Sequence, residues 1–249
     1  MNMSVTGARI YWTIPVLGGI PITETVVNTW IIILLVTGLC IFLTRGLKVH
    51  ATSRRQVIAE FLVNTARKFV DGNMGGTFSY YTPFVASIFV LSAVSSLSSL
   101  VGAYAPTSDL STLLGWALLV FVLITYTKVK TNGVLGYFKG YTQPIFVLTP
   151  FNIISEIATP ISMAFRHFGN IASGGVIMAL VYGALASLSN MVLGLLPGFL
   201  GDILGMVPIF QIGIPAILSV YFDLFSSFLQ AFIFCMLTMM YISSAAQEG

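Results

Sequence analysis

The chain has 249 residues, 57% of them apolar and only 8% charged, with a net charge of +3. Soluble domains carry roughly 25% charged residues, so an ordinary soluble fold is excluded. The Lys/Arg clusters sit beside apolar runs, which argues against a nucleic-acid surface, and Cys40 and Cys235 lie inside such runs, which gives no disulfide framework.

Arg9 precedes only a short apolar stretch without a small-residue cleavage site, so a removable signal peptide is not expected. Several later runs approach the ~18–20 residues that cross a bilayer. In hydrocarbon the backbone must satisfy its own hydrogen bonds, so these runs become helices. The first span is expected over 28–44. A basic stretch follows with Arg45, Lys48, Arg54, Arg55, Arg67 and Lys68. Within it Val57, Phe61, Ala66 and Phe69 recur at helical spacing, so 52–71 reads as an amphipathic helix lying on the membrane surface. A glycine-rich turn, Gly72 to Gly76, ends it. A second span is expected over 83–104 and a third over 113–127, followed by a basic loop with Lys128, Lys130 and Lys139.

The two basic segments hold nine of the eleven Lys/Arg residues; the others are Arg9 and Arg166. The positive-inside rule places both segments in the cytoplasm and the N-terminus outside. A nearly unbroken helical pattern then fills 150–190, a Gly/Pro-rich turn runs from Pro197 to Pro208, and a second long pattern fills 208–246. At ~1.5 Å per residue each would reach ~60 Å, twice the ~30 Å hydrocarbon thickness. The breakers inside the first (Pro160, Gly169, Gly174, Gly175, Gly183) are scattered, so two strongly tilted helices forming an inclined hairpin are expected rather than four short spans. The expectation is an all-α integral membrane protein of about five crossings plus the surface helix, with the C-terminus inside. No internal repeat is visible, which counts against many secondary transporters.

Three ionisable residues fall well inside the last two patterns: Glu156, Arg166 and Asp223. An arginine at mid-bilayer costs about 2.5–3.5 kcal/mol on insertion scales. Ser155, Thr159, Ser162, Arg166, Gly169, Asn170 and Ser173 fall within about 100° of helical arc, a narrow polar stripe centred on the arginine. Ser219, Asp223, Ser226, Gln230 and Tyr241 cluster likewise on the last helix. Two readings stay open on the residues alone. The small hydroxyl residues can serve helix–helix contact, and Arg166 can be a structural partner of Asp223 or Glu156. Against the second, a purely structural buried ion pair is often replaceable by apolar residues without loss. His167 lies beside the arginine but off its stripe, the position of a packed or lipid-headgroup-facing histidine rather than of a ligand. No metal-ligand spacing is present, and no glycine-rich nucleotide loop.

The segment Phe165-Arg166-His167-Phe168-Gly169-Asn170-Ile171-Ala172-Ser173-Gly174, joined to Gln230-Ala231-Phe232-Ile233-Phe234 and the run that follows to Ile242, resembles subunit a of bacterial F-type ATP synthases. The resemblance implies a multi-pass subunit of the bacterial plasma membrane, without catalysis of its own and without a cofactor. It is expected to work beside a rotating ring of c subunits and a b-subunit stalk, and to carry H⁺ or Na⁺ through two aqueous half-channels. It implies that Arg166 is the essential stator arginine, that Gln230 and Asn170 are the polar residues near it, that Asp223 is the ionisable residue of the outer half-channel, and that Glu156 belongs to the cytoplasmic one. Ser162, Ser173, Ser226, Ser219 and Thr159 are expected to line these paths. One departure is plain: the position after Gly174, frequently glutamate in the family, is Gly175, so Asp223 must supply the outer carboxylate alone. The competing readings are a stand-alone transporter or channel with Arg166 binding an anionic substrate, and a structural membrane scaffold with no ion path.

Overall fold

The computed structural model describes residues 8–15, 19–49, 53–143, 145–193, 217–218 and 220–247. A short antiparallel hairpin that the sequence reading did not anticipate comes first: β1 (Ile10–Ile14) pairs with β2 (Ile20–Thr23). Its base is tied to the first helix, where the Glu24 backbone N–H donates to the Arg9 carbonyl at 2.8 Å. Helix α1 (Glu24–Thr44) starts at the end of the hairpin, four residues earlier than the expected 28. Only 6% of its most apolar stretch is buried, as suits a helix facing lipid.

Helix α2 spans Arg54–Met74 against an expectation of 52–71. Gly75, at φ +86°, ends it in a conformation that costs glycine little. Gln56 fixes the α1–α2 corner: its Nε2 donates to the Lys48 carbonyl at 2.6 Å and its Oε1 accepts from the Lys48 N–H at 3.1 Å. The Arg55 guanidinium lies 5.0 Å from the Phe42 ring centroid, a cation–π contact across the same corner. Val57, Ile58 and Phe61 are exposed, while Val70 and Met74 enter the core.

The second apolar segment covers Gly76–Val101, with helix α3 (Thr82–Leu97) between two 3₁₀ turns, where 83–104 was expected. Asp109 caps the next helix; its Oδ1 accepts from the Ser111 N–H at 3.0 Å and its Oδ2 from Thr25 Oγ1 at 2.9 Å. Helix α4 spans Leu110–Gly140, well beyond the expected 113–127. The supposed basic loop is therefore helical. Lys128 and Lys130 continue the α4 ladder, and the backbone breaks only at Gly133 (φ 70°, ψ 169°).

Helix α5 runs Thr149–Leu193, 45 residues with Pro160 inside it. At ~1.5 Å per residue this is about 67 Å, so it stays within hydrocarbon only if steeply inclined. The turn expected at Pro197–Pro208 and the start of the pattern at 208–216 lie outside the described residues. The chain is next seen as a π-helical turn, Val220–Ser226, which passes directly into α6 (Ser227–Gln247). Among the described residues, five segments are long and apolar enough to cross a membrane.

The core forms where α2, α3, α4, α5 and α6 meet. Val70, Met74, Val85, Val120, Ile124, Met163, Phe234, Met239 and Ile242 are all buried there. Leu113 and Ala117 of α4 close on Ala164 of α5. The Cys235 thiol points at the Val85 carbonyl, 3.7 Å away, and α3 thereby lies on α6. Small residues at these positions let the helices approach closely, the usual means of packing in lipid.

Candidate functional site

Because α4 and α5 form an antiparallel pair, the C-terminal end of α4 faces the first turns of α5. Between them, with the end of α6 as a third wall, lies a polar cavity of about 470 Å³. Ser155, Glu156 and Thr159 line it from α5, Lys128 and Tyr137 from α4, and Tyr241 and Ser244 from α6. Glu156 is not simply solvated. Its Oε1 stands 3.9 Å from Lys128 Nζ and accepts a hydrogen bond from the Tyr137 hydroxyl at 3.2 Å. Tyr137 in turn shares a short hydrogen bond with the Tyr141 hydroxyl. Burial, followed by the hydrogen bond toward Glu156, pushes the Tyr141 phenol well above its usual value, so it remains a neutral donor. Lys128, Tyr137 and Tyr141 carried no signal in the sequence beyond their residue types. Thr159 also donates to its own helix, at the Ser155 carbonyl, 2.8 Å away.

The cavity ends at a dry layer. Met163, Ala164, Phe234, Thr238 and Met239 are each no more than 2% exposed. Beyond this layer, away from the cavity, α5 and the π turn make a second polar zone. Asn170 Nδ2 donates to Ser226 Oγ at 2.8 Å, and that hydroxyl lies 3.0 Å from Asn170 Oδ1, a reciprocal pair that joins the two elements. Gln230, one turn after Ser226 on α6, is buried at 5% exposure. Ser173 donates to the Asn170 carbonyl at 3.2 Å. Asp223 lies in the middle of the π turn; its side chain, like the whole of Ser219, lies outside the described residues. π turns are rare and recur at functional sites.

Arg166 occupies the level between the two zones. Its side chain is exposed, as are Ser155, Ser162, Gly169 and Ser173 on the same stripe, with Thr159 and Asn170 half-buried. The stripe therefore faces outward from this chain. Among the described residues no carboxylate pairs with Arg166; the ion pairs are Arg67–Asp71 and Lys128–Glu156. Glu156 sits ten residues away, about 15 Å along the axis, and is engaged by Lys128. His167 turns the other way. It is fully buried, edge-on to Phe234 with ring centroids 5.9 Å apart, and neither ring nitrogen has a hydrogen-bond partner among the described residues. Among the described residues there is no cluster able to hold a metal ion.

The family model described as ATP synthase A chain matches residues 26–243. A protein of Chlorobaculum parvum named ATP synthase subunit a 1 is 32% identical over 233 residues, covering 92% of this chain and 91% of its own. The ATP synthase subunit a of Desulforamulus reducens is 33% identical over 242 residues, covering 96% of this chain and 85% of its own. A Propionigenium modestum protein named ATP synthase subunit a, sodium ion specific, is 29% identical over 247 residues, covering 93% and 76%. An outward-facing arginine stripe on a 45-residue apolar helix, in a chain matched over most of its length, places this protein in the ATP synthase subunit a family, the non-catalytic ion-translocating membrane part of that machine.

Proposed function

We propose that the chain forms two half-channels that load and unload ions on a ring of c subunits, with Arg166 as the charge that separates them. The observation that carries this reading is the exposed Arg166 on a stripe of small and polar residues midway along α5, with no ion pair among the described residues. A guanidinium left against lipid is costly. A partner that presents a carboxylate at the same depth removes that cost, and the ring does this repeatedly as it turns. The b-subunit stalk then holds the chain against the ring.

At ~4 Å and an effective dielectric of ~20 the guanidinium attracts a carboxylate by about 4 kcal/mol. That corresponds to roughly a thousandfold loss of ion affinity at the ring site. A ring carboxylate reaching Arg166 releases its ion to one half-channel and passes on ionised to be reloaded from the other. The polar cavity beside Glu156, Ser155 and Thr159 serves as the cytoplasmic half-channel. The zone of Asn170, Ser173, Ser226 and Gln230, with Asp223 on the π turn and Ser219 before it, serves as the outer one, and Ser162 lies on the stripe just inward of the arginine. The chain lies in the bacterial plasma membrane with its N-terminal hairpin outside and its C-terminus in the cytoplasm, the arrangement that puts the basic segments inside.

Lysine keeps the charge but not the rigid five-donor fork. Complexes carrying Arg166→Lys are expected to assemble and hydrolyse ATP but to pump no ions into liposomes. Pumping at the wild-type rate would overturn the role given to Arg166.

A further inference from the structure

The dry layer divides the interior, and His167 lies on its outer side. Met163 and Ala164 precede it by one turn on α5, and Phe234 meets its ring from α6. Three residues on is Asn170, a neighbour on the helix surface, which pairs with Ser226. Leu113 and Ala117 of α4 close the same seam and offer no polar group. Both imidazole nitrogens are buried without a partner among the described residues. A buried polar group left unsatisfied costs about 1–3 kcal/mol, and a leucine or phenylalanine would pack here at no such cost. An imidazole placed beside a polar zone, and against the one layer that zone cannot cross, is suited to exchanging protons with it.

We propose that His167 is a proton-exchanging group at the inner end of the outer half-channel, and hence that the ion this chain carries is H⁺. The proposal rests on the two-half-channel reading above. One ring nitrogen takes a proton from hydronium on the outer path, leaving water. The imidazolium then releases one N–H proton through water at the Asn170–Ser226 pair toward the ring carboxylate, and the histidine returns neutral. One proton moves, one N–H bond forms and one breaks, and nothing is oxidised. The charged and titratable groups of the surrounding elements are Glu156, Arg166 and Tyr182 on α5, Tyr126, Lys128, Lys130, Tyr137 and Lys139 on α4 with Asp109 as its cap, Tyr221 and Asp223 on the π turn, and Cys235 and Tyr241 on α6.

The test uses complete ATP synthase complexes in liposomes, wild type, His167→Gln and His167→Leu, with the pH of the two sides set independently. Both variants are expected to lose at least tenfold in ATP synthesis at neutral outer pH, to recover when the outer side is acidified, and to keep the wild-type dependence on inner pH. A packing defect would scale the rate at every pH on both sides. An unchanged outer-pH profile, a rate lowered uniformly, or failure of both variants to assemble with the ring would each overturn the proposal. So would full-rate synthesis by the wild type on a Na⁺ gradient alone at alkaline outer pH. None of these outcomes touches the role of Arg166, which is read separately in Arg166→Lys.

Discussion

Replacing Glu156 by Gln removes a carboxylate whose Oε1 stands 3.9 Å from Lys128 Nζ, inside a cavity of about 470 Å³. The pair is partly solvated, so its contribution to folding is about 0–1 kcal/mol and the variant is expected to fold and assemble. What changes is the potential an ion meets on its way out. With the pair intact, a cation in the cavity meets two nearly cancelling charges. Without the carboxylate it meets the Lys128 ammonium with its Glu156 counter-charge removed. At ~8 Å and an effective dielectric between 20 and 80, that repulsion is about 0.5–2 kcal/mol, a slowing of about 2- to 30-fold. ATP-driven pumping by reconstituted complexes, normalised to the amount of complex, reads the effect directly. Adding Lys128→Gln removes the repelling charge, so the double variant is expected to recover most of the rate. A double variant as slow as Glu156→Gln alone would mean that the carboxylate itself carries the ion, and the electrostatic reasoning would fail.

Asp223→Ala is expected to slow transport about tenfold or more, with Asp223→Glu or Asp223→His retaining part of the rate; wild-type flux in the alanine variant would return Asp223 to a packing role. Asn170→Leu strands the Ser226 hydroxyl and should lower stability by about 1–3 kcal/mol, read as a reduced Tm of the solubilised chain, whereas an unchanged Tm would mean that the pair is not formed. Tyr141 prefers its neutral form in the folded chain, its phenol raised first by burial and then by the hydrogen bond toward Glu156. That preference stabilises the fold below the ordinary tyrosine value of 10.0 and is lost as pH climbs above it. Ultraviolet phenolate titration should therefore show a late-ionising tyrosine that is missing in Tyr141→Phe; identical curves would contradict its half-buried placement.

The helices were legible because long apolar runs leave the backbone no other way to satisfy its hydrogen bonds in lipid. Their ends were less so. Lys128, Lys130 and Lys139 lower the hydropathy of α4 past 127, yet the chain stays helical on both sides of the break at Gly133 because ladder bonds form whatever the polarity of the side chains. The opening hairpin was missed because Ile10–Ile14 is too short and too apolar to separate from a span, and residues 16–18 of its connection lie outside the described residues. The polar stripe on α5 could be read from its 3.6-residue period, since α5 stays helical through Pro160. Lys128, Tyr137 and Tyr141 could not be tied to Glu156, because they meet it only once α4 and α5 fold back on each other. The π turn was equally invisible: extra residues per turn re-phase the last helix, and the 3.6-residue stripe drawn through Asp223, Ser226 and Gln230 does not allow for it.

The layer of Met163, Ala164, Phe234 and Met239 has a consequence for efficiency. If the two half-channels are as proposed, it would act as an insulator built into the subunit. A polar chain of hydroxyls and waters running straight down the inside of the protein would short-circuit the membrane battery even with the rotor at rest. On the proposed two-half-channel reading, that tightly packed gap leaves current one route, by riding the rotor, and a stalled motor would hold its charge.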